Sequence, residues 1–154
     1  MRAVKTGIST LISLSLSGVM CSMALATEFG TAEEAEAMLK RAVATIQEDK
    51  EQALSDFTAG AEGFKEKDLY VFCGDEIGHF VAHGSNKDLI GMSLLEFQDD
   101  NGKRFGGEMY GFAMEGEFYE VHYLWPRPGE SESSEKVSLV TKIEDLVCGV
   151  GYYP

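Results

Sequence analysis

The apolar residues of this chain change their spacing once, and that change limits the fold more than any other feature. From Ala35 to Phe57 they recur at helical intervals: Ala35, Met38, Leu39, Ala42, Val43 and Ile46, then Ala53, Leu54 and Phe57. Thr31 and Glu34 stand at capping-box spacing ahead of this run, and Gly60 stands where a helix should stop. The spacing predicts one long helix from about residue 31 to residue 60. After Leu69 the pattern becomes strand-like. Leu69 to Cys73 and His79 to Val81 to His83 read as a hairpin around the turn Gly74 to Gly78. Residues 84–104 carry mixed signals and a strong turn at Asp99-Asp100-Asn101-Gly102, and Phe105 to Met114 reads as a short helix. Phe118 to Trp125, Val137 to Ile143 and Leu146 to Tyr153 are three further strands. One helix, two strands, a helical insertion and three strands make an α+β domain, with a five-stranded antiparallel sheet and the long helix packed on it.

The first residues read as an address. Arg2 and Lys5 precede an apolar, serine-rich run from Ile8 to Met23, and Ala24-Leu25-Ala26 supplies the small residues a signal peptidase accepts. Cleavage is expected after Ala26, which makes residues 1–26 a signal peptide and residues 27–154 a single ligand-binding domain. No later stretch is long and apolar enough to span a bilayer, so no membrane insertion is expected after cleavage. Losing Arg2 and Lys5 takes the formal net charge from −13 to −15. A field of that sign repels nucleic acid and anionic lipid, and an anionic ligand would need positive charge close by. Cys73 and Cys148 remain in the mature chain. Outside the cytoplasm two cysteines can form a disulfide, or both can be small buried residues.

The usual catalytic constellations are missing. His79 and His83 have zinc-helix spacing, but on a strand their rings lie roughly 13 Å apart and cannot share an ion. His122 adds no spacing rule. There is no Cys-x-x-Cys pair and no Gly-x-Ser-x-Gly elbow. No enzyme, metal or cofactor is therefore expected. Tyr119, Tyr123 and Trp125 share one strand face, with His83, Arg104, Tyr110 and Arg127 as polar neighbours. Such a face is either core or the wall of a small-molecule pocket, in which an arginine fork would suit a carboxylate. Gly149 and Gly151 share a face of the last strand, and make room either for the long helix or for a ligand.

Five segments in order resemble the single Cache domain, type 2. They are Gly63 to Cys73, Phe80 to His83 with Leu89 to Gly91, Asp100 to Phe105, Tyr123 to Pro126, and Gly149 to Tyr153. Together they span roughly residues 31–153. The resemblance implies a long helix behind a curved five-stranded sheet and an extracytoplasmic sensor of small carboxylates and similar metabolites, usually set between two membrane spans of a chemoreceptor or histidine kinase. This chain, with Pro154 just after the last strand, departs from that plan and is expected to be a free-standing form. It suggests Tyr110, Tyr123, Trp125 and Arg127 as ligand-lining residues, with His83 and Arg104 as weaker carry-overs. Two departures stand out: Gly84-Ser85-Asn86 follows the histidine where a proline and asparagine are common, and Leu139 replaces a common tyrosine. The expected function is periplasmic or secreted binding of a small molecule, an organic acid in particular, without catalysis. The expected partners are that ligand and a membrane-bound signalling protein. The rival is an interaction module that binds another exported protein and no metabolite.

Overall fold

The computed structural model describes residues 28–154, so the signal-peptide segment lies outside the described residues. Helix α1, Ala32–Glu48, begins with the predicted capping box. The Thr31 side chain accepts from the Glu34 amide, and the Glu34 carboxylate accepts from the Thr31 amide. Its buried stripe is Ala35, Met38, Leu39, Ala42 and Ile46.

The chain forms two helices where the spacing predicts one. Asp49 has extended backbone (φ −155°) and ends α1, and its carboxylate caps a second helix, α2, Lys50–Ala59, by accepting from the Gln52 amide. An aspartate whose side chain can satisfy a free amide favours that arrangement over helix interior. Gly60 closes α2 at φ +67°, a conformation that glycine adopts without a steric penalty.

The sheet is antiparallel and has six strands rather than five. They are β1 (Lys65–Glu66), β2 (Leu69–Gly74), β3 (Phe80–His83), β4 (Tyr119–Pro126), β5 (Ser133–Ile143) and β6 (Leu146–Tyr152). The order is β1–β2–β6–β5–β4, and β3 also pairs with β2. The extra strand, β1, turns back on β2 through Lys67 at φ +57°. His79 lies just outside β3 and bridges Ser93 instead. Helix α3, Phe105–Phe112, follows the Asp99–Gly102 turn.

Strand alternation sends side chains to two cores. Leu69, Val71, Cys73, Leu139, Cys148 and Val150 pack against α1 and α2. Tyr70, Phe72, Val121, Tyr123 and Val140 face the other way, toward Phe105 and Met109 of α3 and Leu89 and Leu94 of two single-turn 3-10 helices. Cys73 and Cys148 are directly opposite in the β2–β6 register, fully buried and joined through their sulfurs. Gly149 and Gly151 do not make room for the long helix. They lie on the α3 side, where a Cβ on Gly149 would fall 2.6 Å from the Phe72 ring.

Candidate functional site

Two adjoining spaces lie on the aromatic side of the sheet. The inner one, of about 20 Å³, is walled by Phe72, Phe80, Phe105, Met109 and Tyr123, together with Tyr70, His83 and Trp125. It has room for about one water molecule. The outer cleft, of about 280 Å³, shares Tyr70, His83 and Trp125 and extends over Ser85, Asn86, Leu89 and residues 126–130, Arg127 among them.

The rings hold one another in place. Phe105 stacks on Tyr123 at 4.2 Å between centroids, Trp125 meets Phe97 and Phe105 edge-on, and His83 lies 4.9 Å from Tyr70. Such contacts add roughly 0.5–1.5 kcal/mol each to the area they bury.

His83 has a defined tautomer. Its Nδ1 accepts from the amides of Ser85 (3.3 Å) and Asn86 (3.0 Å) as the chain after β3 folds back over the ring. Nδ1 thus bears no hydrogen, and Nε2 carries it. Burial, reinforced by the nearby Lys136 charge, pushes the imidazole pKa down to about 3. At neutral pH His83 is an uncharged donor on the wall of both spaces.

Arg127 leaves β4 and packs its guanidinium between the rings of Phe29 (4.6 Å) and Tyr153 (4.7 Å). Its Nε is 3.8 Å from Asp68 Oδ2, and both atoms are buried without a hydrogen-bond partner. The other Asp68 oxygen accepts from the Gly30 amide at 2.7 Å. The arginine therefore reaches the cleft already accompanied by a carboxylate.

One buried cation escaped the sequence reading. Lys136 of β5 is 1% exposed. Its Nζ lies 4.3 Å from the Tyr70 ring centroid and 5.1 Å from that of Tyr153, and donates to the Tyr70 hydroxyl at 2.7 Å. Its stem crosses Gly151, where any Cβ would collide with it. That glycine provides room, but a lysine fills it. Burial pulls the Lys136 pKa down to about 7, with Asp68 opposing the shift. The sequence signal was parity: Lys136 shares its strand face with Ser138 and Val140.

The structure thus brings His83, Tyr123, Trp125 and Arg127 together. Tyr110 lies elsewhere, donating to the Asp75 carbonyl at 2.7 Å and lining a separate surface hollow with Glu76 and Lys142. Arg104 is exposed at the start of α3 and lines neither space. Leu139 sits in the helix-side core, so it cannot fill the recess. Among the described residues no cluster of three or more His, Cys, Asp or Glu could hold a metal ion, and no helix is long and apolar enough to cross a membrane.

An antiparallel sheet with paired helices on one face, and a ring-walled recess under a short helix on the other, is the architecture of a Cache sensor-type domain. The chain belongs to the Single Cache domain 2 family, whose model matches residues 18–153. Among solved structures it is similar to a methyl-accepting chemotaxis protein from Vibrio parahaemolyticus RIMD 2210633, with TM-score 0.65 and 22% identity over 79% of this chain and 86% of that one. It is also similar to a periplasmic sensor domain of a chemotaxis protein, with TM-score 0.62 and 26% identity over 79% and 88%. A third likeness is a Cache chemosensory domain solved for the structural basis of its carboxylic acid recognition, with TM-score 0.61 and 22% identity over 79% and 86%. No curated protein matches the chain.

Proposed function

We propose that this chain is a periplasmic or secreted domain that binds a small organic acid as a sensor and catalyses nothing. The observation that carries this reading is the outer cleft of about 280 Å³, where His83, Trp125, Tyr70 and Arg127 converge on one space. His83 Nε2 is a donor, and the Tyr70 oxygen already accepts from Lys136 and faces the Trp125 indole N–H, which leaves its own hydrogen to give. A carboxylate accepts such donors without offering any. The related domain solved for carboxylic acid recognition points the same way. A membrane-bound signalling protein would read the bound state.

The test is thermal-shift and calorimetric titration of the purified protein with two- to four-carbon carboxylates and with amino acids. A ligand at 100 times its dissociation constant adds about 2.7 kcal/mol of stability. A flat response to the whole panel sinks the reading. The second reading is an interaction module. It is favoured by Ile77 and Met92, which are 62% and 50% exposed near the His79–Ser93 bridge. Capture of an exported protein by a ligand-indifferent domain, lost in Ile77→Asp, would establish it.

A further inference from the structure

We propose that Lys136, acting through the Tyr70 hydroxyl, positions a carboxylate in the cleft only when its amine is protonated, so that each bound carboxylate brings a proton with it. This deepens the organic-acid reading and rests on it.

The charges around the cleft argue for it. Arg127 is matched by Asp68 at 3.8 Å, and Glu130 stands on the rim. With Lys136 neutral, these groups sum to one negative charge, which disfavours an anion. With Lys136 protonated they sum to zero, and the added positive charge sits one hydroxyl away from the cleft. The Nζ–Tyr70 hydrogen bond of 2.7 Å is the conduit. Tyr70 lines both spaces and Lys136 lines neither. A charged amine donates to the phenol oxygen and turns the phenol hydrogen outward to the ligand. A neutral amine can instead accept that hydrogen and withdraw it from the cleft.

Three phenols, one imidazole and one ion pair surround the amine on the cleft side, and Asp99, Lys103, His122 and Glu135 line a separate hollow on the outer side of Lys136. Tyr70, Tyr123 and Tyr153 are buried phenols with raised pKa values, so they stay protonated. His83 on β3 stays neutral. Asp68 before β2 and Arg127 after β4 form the matched pair. Lys65 of β1 acts on His83 from farther out. No charged residue of α3 lines either space. Burial leaves Lys136 poised near neutrality. A simple carboxylate is already ionised there, so a pH dependence cannot come from the ligand.

The experiment is calorimetry of the purified protein with acetate, propionate and lactate, in buffers of different ionisation enthalpy, from pH 6.5 to 8.5. The expected proton uptake is about half a proton per carboxylate at pH 7 and nearly one at pH 8. The dissociation constant should rise about tenfold per pH unit above 7.5. Lys136→Met should abolish both effects. Tyr70→Phe is the second variant; it keeps the lysine and should also lose the coupling, while Lys136 still titrates by nitrogen NMR. Binding with no proton uptake and a constant affinity overturns the coupling and leaves the organic-acid reading standing. A Lys136→Met variant that keeps the wild-type pH slope does the same. No binding at pH 6.5 of these three acids or of any other member of the carboxylate and amino-acid panel overturns both.

Discussion

Burying the Lys136 ammonium under two tyrosine rings costs stability, and the cost has a pH window. Its folded pKa is about 7, and an unfolded lysine titrates near 10.4. Between those values the unfolded chain holds a proton that the folded chain lacks, so stability rises with pH across the window. Below pH 7 both states are protonated and the penalty is complete. We expect urea midpoints to rise from pH 7 to 9, by up to roughly 1.4 kcal/mol per pH unit from this site, and Lys136→Met to remove that rise. His83 acts at the acid end of the profile. Its folded pKa is about 3 against an ordinary value of 6.5, so the unfolded chain gains the proton first as pH falls. Stability should drop between pH 6.5 and 3, and His83→Gln should flatten that limb of the profile. Gly151→Ala tests the packing of the lysine. Its Cβ would fall 2.6 Å from Ser138 Oγ and collide with the Lys136 stem. The expected loss is roughly 1–3 kcal/mol in chemical denaturation.

Short acidic side chains mark the ends of elements on both faces of the sheet. Asp49→Ala removes the carboxylate that accepts from the Gln52 amide at 3.0 Å. It should cost about 1 kcal/mol in urea unfolding, with some loss of helix signal by circular dichroism. At the far edge of the sheet, β4 has outward-facing backbone groups that a second chain could pair with. Asp99 Oδ2 accepts from the Leu124 amide at 3.1 Å, and Lys103 donates to the His122 carbonyl. The same aspartate accepts from the Asn101 and Lys103 amides through Oδ1, which holds its carboxyl below the usual range. Asp99 thus blocks the edge and anchors the loop that leads into α3. Asp99→Ala should loosen α3 over the recess and increase concentration-dependent association, measurable by light scattering.

The two cores are divided by one sheet, and the Cys73–Cys148 link ties its central strands together across 75 residues of sequence. In an oxidising compartment such a link restricts the unfolded chain. Peptide mapping without reductant should recover the two cysteines as one linked pair. A double serine variant should lose about 2–4 kcal/mol. Recovery of two free thiols from exported protein would instead mean that two buried cysteines suffice. Export has its own test: N-terminal sequencing of the exported protein should find Thr27 first if cleavage falls after Ala26. Phe29 packs on the Arg127 guanidinium and the Gly30 amide donates to Asp68.

Much of this was readable from the chain alone, because it depends on neighbours in sequence. The Thr31–Glu34 box, the Gly60 stop, the hairpin turn after Gly74 and the alternating face of Tyr119 to Trp125 are all local. The break at Asp49 was local too, but helical spacing on both sides concealed it. Parity also put Tyr123 and Trp125 on one wall. It could not say that Tyr110 would turn to the Asp75 carbonyl or that Arg104 would remain in solvent, because α3's placement depends on packing. Lys136 reaches Tyr70 from 66 residues away, and Asp68 meets Gly30 from 38. Those meetings depend on strand order and register, which are set by long-range burial of whole faces. A charged residue at an inward position looks like an error in the pattern until the fold supplies its tyrosine and its glycine gap. The periodicity of the chain thus established its layers and its aromatic wall. Only folding in three dimensions brought the charges to that wall, since electrostatic partners are chosen by distance in space and not along the backbone.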